Sequence, residues 1–213
     1  METFDYSKLE TGDLILFNGR NSIISTVVEK FTNSKWSHVG IVLKHPKYID
    51  EKLTGLYLWE SGKEPYTDSE DGKIKYGVQI TDLKVMIDNY DGEVVWRKLF
   101  WVSHDFESKM KVIHNVVHNK PYDLDIFDFI FTKLGIKEKP YSHNSILLNW
   151  MGYNPRKVDK LYCSSLVAYV YTELGLLPSD TNWTNTFPSY FSSSNNNLKL
   201  IDAELGSEIT IKD

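Results

Sequence analysis

Leu161-Tyr-Cys-Ser-Ser-Leu-Val-Ala-Tyr169 opens the most informative stretch of the chain. From Cys163 to Leu174 the apolar residues Leu166, Val167, Val170, Tyr171 and Leu174 recur at helical spacing, and Gly175 follows as a stop. The reading is an amphipathic helix with Cys163 in its first turn. A thiol there meets the positive end of the helix dipole, which favours the thiolate. The first-turn N–H groups lack intrahelical partners and can hold an oxyanion. The same residue also suits a plainer role, since thiols fill cores well. Position alone leaves both readings open.

A nucleophilic cysteine needs an imidazole in reach and a third group to orient it. Upstream, Trp36-Ser-His-Val-Gly-Ile-Val-Leu43 is β-branched and apolar, and is predicted as a central strand that His45-Pro46 ends. His38 is an unusual packing choice there. Leu56-Tyr-Leu-Trp-Glu60 is the next predicted strand, stopped by Ser61-Gly62. If the two strands pair as an antiparallel hairpin, His38 and Glu60 share a face. Each also has a bland reading, as a satisfied core histidine and a solvated strand-end carboxylate.

Further strands are predicted at Asp13–Asn18, Gly77–Ile80 and Glu93–Leu99, with edge strands within Leu198–Ile211. Helices are predicted at Asn21–Phe31, Phe106–Asn119 and Asp125–Leu134. Lys137–Lys160 carries Pro140 and Pro155 and reads as an elaborated connection within one domain spanning 1–213. Strands cluster, then helices, with few alternating βαβ units. That pattern implies an α+β fold with an antiparallel sheet.

Four segments taken in order resemble a known family: Thr11-Gly-Asp-Leu-Ile-Leu-Phe17, Trp36-Ser-His-Val-Gly-Ile-Val42, Trp59-Glu-Ser-Gly62 and Tyr162-Cys-Ser-Ser-Leu-Val167. Together they look like the circularly permuted branch of the NlpC-type papain-like superfamily, near YiiX-like enzymes and their poxviral relatives. Lecithin retinol acyltransferase is more distant. In that branch the His strand precedes the Cys helix, as it does here. The resemblance implies a papain-like fold, with an antiparallel sheet packed against a Cys-bearing helix. It implies Cys163 as nucleophile, His38 as base and Glu60 as the acid that orients the base. It places Asp13 in a structural role and leaves Tyr122-Asp123, with Phe127, unassigned. The expected activity is a cysteine amidase or peptidase working through a thioacyl intermediate. An acyltransferase or lipase on lipid esters, and a silent module that binds a ligand or host protein, are the alternatives. Relative to bacterial members the chain is expected to lack an export signal, since Met1–Glu10 does not read as one, and to carry the 137–160 insert.

The remaining features narrow the classes. The 213 residues carry a net charge of −5, which argues against a nucleic-acid backbone as partner. One Cys excludes an internal disulfide framework and a multi-thiolate metal site. No apolar run approaches the ~18 residues of a membrane span. The expected partner is a peptide, isopeptide or lipid-ester substrate, with no nucleic acid. The expected location is the cytoplasm, or the host cytoplasm or virion for a viral source. Asn182-Trp-Thr184 would then be an inert glycosylation pattern.

Asp68-Ser-Glu-Asp-Gly72 is a polar turn, too compact for a calcium loop. His114 and His118 lie i,i+4 on a predicted helix. Asn115 stands where a zinc protease of that pattern has its glutamate, and no third ligand follows in sequence. The pair is read as a solvated helix face. No metal and no cofactor are expected.

Overall fold

The computed structural model describes residues 4–19, 34–62, 66–101, 105–123, 158–195 and 198–213. The helices expected at Asn21–Phe31 and Asp125–Leu134, and nearly all of the 137–160 connection, lie outside the described residues. The elements are β1 (Leu14–Gly19), β2 (His38–Lys44), β3 (Leu56–Gly62), β4 (Gly77–Asp82), α1 (Leu83–Asn89), β5 (Gly92–Arg97), β6 (Leu99–Phe100), α2 (Phe106–Val117), α3 (Cys163–Glu173), β7 (Glu204–Leu205) and β8 (Ile209–Lys212).

The sheet runs β4-β3-β2-β1-β5-β8, and every neighbouring pair is antiparallel. This is a mixed α+β fold, as the strand clustering implied. Alternation along each strand divides the core between the two faces of the sheet. On one face Leu14, Leu16, Val39, Ile41, Trp59, Val78 and Ile80 pack with Met110 and Ile113 of α2 and Leu166, Val167 and Val170 of α3. On the other, Ile15, Phe17, Val42, Leu58, Val94 and Trp96 pack with Leu83, Met86 and Ile87 of α1 and with Leu9. With both faces covered, the inner strands read as continuous apolar runs.

The entry to β1 explains Thr11-Gly-Asp13. Gly12 has φ +97°, and a Cβ there would lie 2.9 Å from Leu99. Asp13 is fully buried. Its carboxylate accepts from Glu10 N–H (2.9 Å), Trp96 Nε1–H (2.8 Å) and Leu99 N–H (2.9 Å). Tyr171 Oη of α3 donates to the Gly12 carbonyl at 2.7 Å. The turn thus ties β1 to β5, β6 and the Cys-bearing helix. Replacing Asp13 with alanine would strand three donors, two of them, Trp96 Nε1–H and Leu99 N–H, buried. The expected loss is about 3 kcal/mol or more of unfolding free energy, read as a lower urea midpoint with unchanged slope.

Two expectations are corrected. The α3 helix is not amphipathic: every residue from Cys163 through Thr172 is buried. The 182–191 segment adds to this burial, with Trp183 against Tyr169 and Phe191 against Tyr171. The 106–119 helix does not present His114 to solvent; that residue is buried. The helix ends at Val117, and Asn119 takes a left-handed conformation, φ 59°. The short helix α1, capped by Asp82 accepting from Val85 N–H at 2.9 Å, was not anticipated.

Candidate active site

Each residue of Trp59-Glu-Ser-Gly62 has a separate task, set by strand alternation. Trp59 fills the core beneath α2 and α3. Glu60 turns its carboxylate to the opposite face, where it is completely buried. Ser61 Oγ donates to the Leu161 carbonyl at 2.6 Å, fixing the strand to the residue two before Cys163. At Gly62 a Cβ would stand 2.9 Å from Glu60 Oε1, so only glycine leaves the carboxylate its place.

His38 opens β2. The preceding residues hold it in position: Trp36 Nε1–H donates to Ser192 Oγ at 3.2 Å, and Ser37 N–H to the Phe17 carbonyl at 3.0 Å. Its ring lies against Phe17, centroids 5.5 Å apart. His38 Nε2 is bonded to Glu60 Oε2. The other carboxylate oxygen accepts from Gln79 Nε2–H at 2.8 Å. Gln79 is buried on β4 and faces Glu60 directly in register.

Cys163 comes to the same ring. Tyr162 is extended, and the helix starts at the next residue. Ser165 Oγ accepts from Tyr162 N–H at 2.8 Å and returns a bond to the Tyr162 carbonyl. Ser164 Oγ anchors the first turn to the Thr186 carbonyl at 2.6 Å. The two serines after Cys163 therefore set the direction of the helix start. Cys163 is 4% exposed, and its side chain lies near enough to the His38 ring to act on the charge of that ring. Since Glu60 takes Nε2, Nδ1 is the nitrogen left for sulfur.

Burial of the His38 ring opposes its charge. The negative charge of Cys163, then that of Glu60, and the hydrogen bonds to both outweigh burial and push its pKa up to about 10. A neutral-pH imidazolium held between two acidic groups results. Tyr122 also reaches this centre. It pairs with Leu161 in a parallel bridge, and its phenol is driven well above its ordinary range by burial, then by the charges of Cys163, Tyr162 and Glu60.

The three expected site residues, far apart in sequence, thus meet in one place. Gln79 was missed. Its signal was a primary amide within the otherwise apolar Gly77-Val-Gln-Ile80, where a buried polar group calls for a partner. Asp13 stands apart from the centre, in its structural role. His114 and His118 also lie elsewhere, and the 68–72 turn meets them there.

No family model matches the chain, and no curated protein matches it. Among solved structures the chain is similar to the metalloprotein YiiX from Escherichia coli O157:H7, with a TM-score of 0.49 and 19% identity over 95% of this chain and 96% of that one.

Proposed function

We propose that the protein is a cysteine-dependent hydrolase of amides, with a permuted papain-like arrangement in a single domain. The observation that carries the reading is the His38 ring held between the Cys163 side chain and the buried Glu60 carboxylate. The order of motifs along the sequence, His strand before Cys helix, supports it.

In this reading the resting pair is a thiolate facing an imidazolium. Sulfur attacks the carbonyl carbon, and the developing oxyanion takes N–H donors at the start of α3, that of Cys163 among them. His38 gives its Nδ1 proton to the leaving nitrogen as the C–N bond breaks, leaving a thioacyl enzyme and a neutral ring. The ring then takes a proton from water, whose oxygen attacks the thioester. The C–S bond breaks, the carboxylic acid leaves, and the ion pair is restored. Glu60 is a positioning residue: it fixes the ring and stabilises its charge.

The test begins with thiol reactivity. Iodoacetamide at pH 7 is expected to alkylate Cys163 at least about tenfold faster in the wild type than in His38→Ala, by mass spectrometry. Panels of peptide, isopeptide and phospholipid substrates then identify the acyl group. Equal alkylation rates in the two proteins would remove the ion pair and the proposal with it. Turnover of phospholipids alone would reassign the substrate to lipid esters.

A further inference from the structure

The polar turn at 68–72 and the pair formed by His114 of α2 and His118 just beyond its end are distant in sequence and joined in space. Glu70 Oε2 lies 3.0 Å from His114 Nε2 and 3.1 Å from His118 Nδ1. One potential ligand atom from each of the three residues falls within 4.8 Å of the others. The imidazole rings are 4.9 Å apart by centroid.

Both supports are built. Asp68 shapes the turn, accepting from Glu70 N–H at 2.6 Å, and Ser69 N–H donates to the Ile80 carbonyl at 2.7 Å, fastening the turn to β4. Lys75 makes its ion pairs with Asp68 Oδ2 (2.9 Å) and Asp71 Oδ2 (3.0 Å) and with neither histidine. On the helix side His114 is buried and packs against the Trp59 ring, centroids 6.0 Å apart. His118 follows one turn on.

We propose that Glu70, His114 and His118 form a binding site for a zinc-class divalent cation, separate from the Cys163 centre. Two imidazoles and one carboxylate suit zinc, whereas calcium and magnesium ask for oxygen ligands. At Zn–N and Zn–O distances near 2.1 Å the ligand atoms of a tetrahedron stand about 3.4 Å apart. The observed 3.0 and 3.1 Å contacts would open by only a few tenths of an ångström. A water would complete four-coordination.

A second group meets the far side of the His118 ring. Asn119 Nδ2 lies 2.6 Å from His118 Nε2. With a metal on Nδ1, Nε2 carries the proton and needs an acceptor, and the amide turned over presents its oxygen there. The cation would cross-link the 68–72 turn to the end of α2. Its role is structural: Trp59 separates it from the face that carries Glu60.

The test uses Cys163→Ala protein, stripped with chelator, so that the thiol cannot supply a competing ligand. Calorimetric titration with zinc chloride is expected to show one tight equivalent and a raised melting temperature. Cobalt(II) should give visible bands without thiolate charge transfer. In the same background His118→Ala and Glu70→Gln are expected to weaken binding by at least about tenfold and to remove the melting shift. His118 is partly exposed at the helix end and Glu70→Gln keeps the side-chain shape, so both variants should retain the wild-type circular dichroism. Absence of stoichiometric zinc in the Cys163→Ala protein, or undiminished binding in both variants, overturns the site. Neither result depends on the hydrolase reading.

Discussion

Cys163→Ala is expected to lower kcat by at least about a thousandfold on any amide or ester that the wild type turns over. The size follows from what the residue does in the proposed reaction. Alanine leaves the N–H donors of α3 and the His38–Glu60 pair in place, but no atom remains that can form the thioacyl bond. Whatever rate survives comes from substrate binding and the oxyanion donors alone. The side chain is small and its removal opens little space, so circular dichroism should be unchanged. His38 loses the negative charge that contributes most to its elevated pKa, so its ring becomes easier to deprotonate. A variant that keeps a tenth or more of wild-type kcat would place the chemistry elsewhere and reduce Cys163 to a packing residue.

The parts of this centre that could be read in advance depend on local periodicity. A run of β-branched residues around His38 and a 3.6-residue repeat after Cys163 define a strand and a helix whatever surrounds them. The parts that could not be read depend on what lies across the sheet. Nothing within Gly77–Ile80 says that Gln79 faces Glu60; the register of β3 on β4 does. The polar residues of α3 looked like a solvent face. In the structure they are satisfied internally, Ser164 by Thr186, Ser165 by the helix cap and Thr172 by the Ala168 carbonyl at 2.8 Å. A hydroxyl that bonds its own neighbourhood can be buried at little cost, and sequence pattern cannot distinguish that from exposure. His114 was misread for a related reason: the carboxylate that accompanies its burial comes from 44 residues upstream.

Glu60→Gln tests the other half of the couple, and its signature lies in pH dependence. Glutamine keeps the shape of the side chain and can still accept from His38 Nε2–H through its oxygen. Its amide would then face the Gln79 amide, donor to donor. Gln79 can turn over and present Oε1, a buried oxygen that has no hydrogen-bond partner among the described residues. Orientation of the ring therefore survives in part, and kcat/KM is expected to fall by about ten- to a hundredfold, less than for Cys163→Ala. The charge does not survive. The His38 pKa, raised from 6.5 to about 10, owes part of that rise to Glu60. Because the folded value lies above the unfolded one, the ring's contribution to stability is complete below pH 6.5. It is lost as pH climbs through about 10. Between those limits the wild type should lose stability with rising pH, and Glu60→Gln should lose less over the same range. The alkaline limb of kcat/KM should follow, ending near pH 10 in the wild type and at lower pH in the variant. Urea titrations at several pH values and a pH–rate profile read the two effects separately. Coincident alkaline limbs in the two proteins would mean that the Glu60 charge does not reach the ring, and that the buried carboxylate serves packing alone.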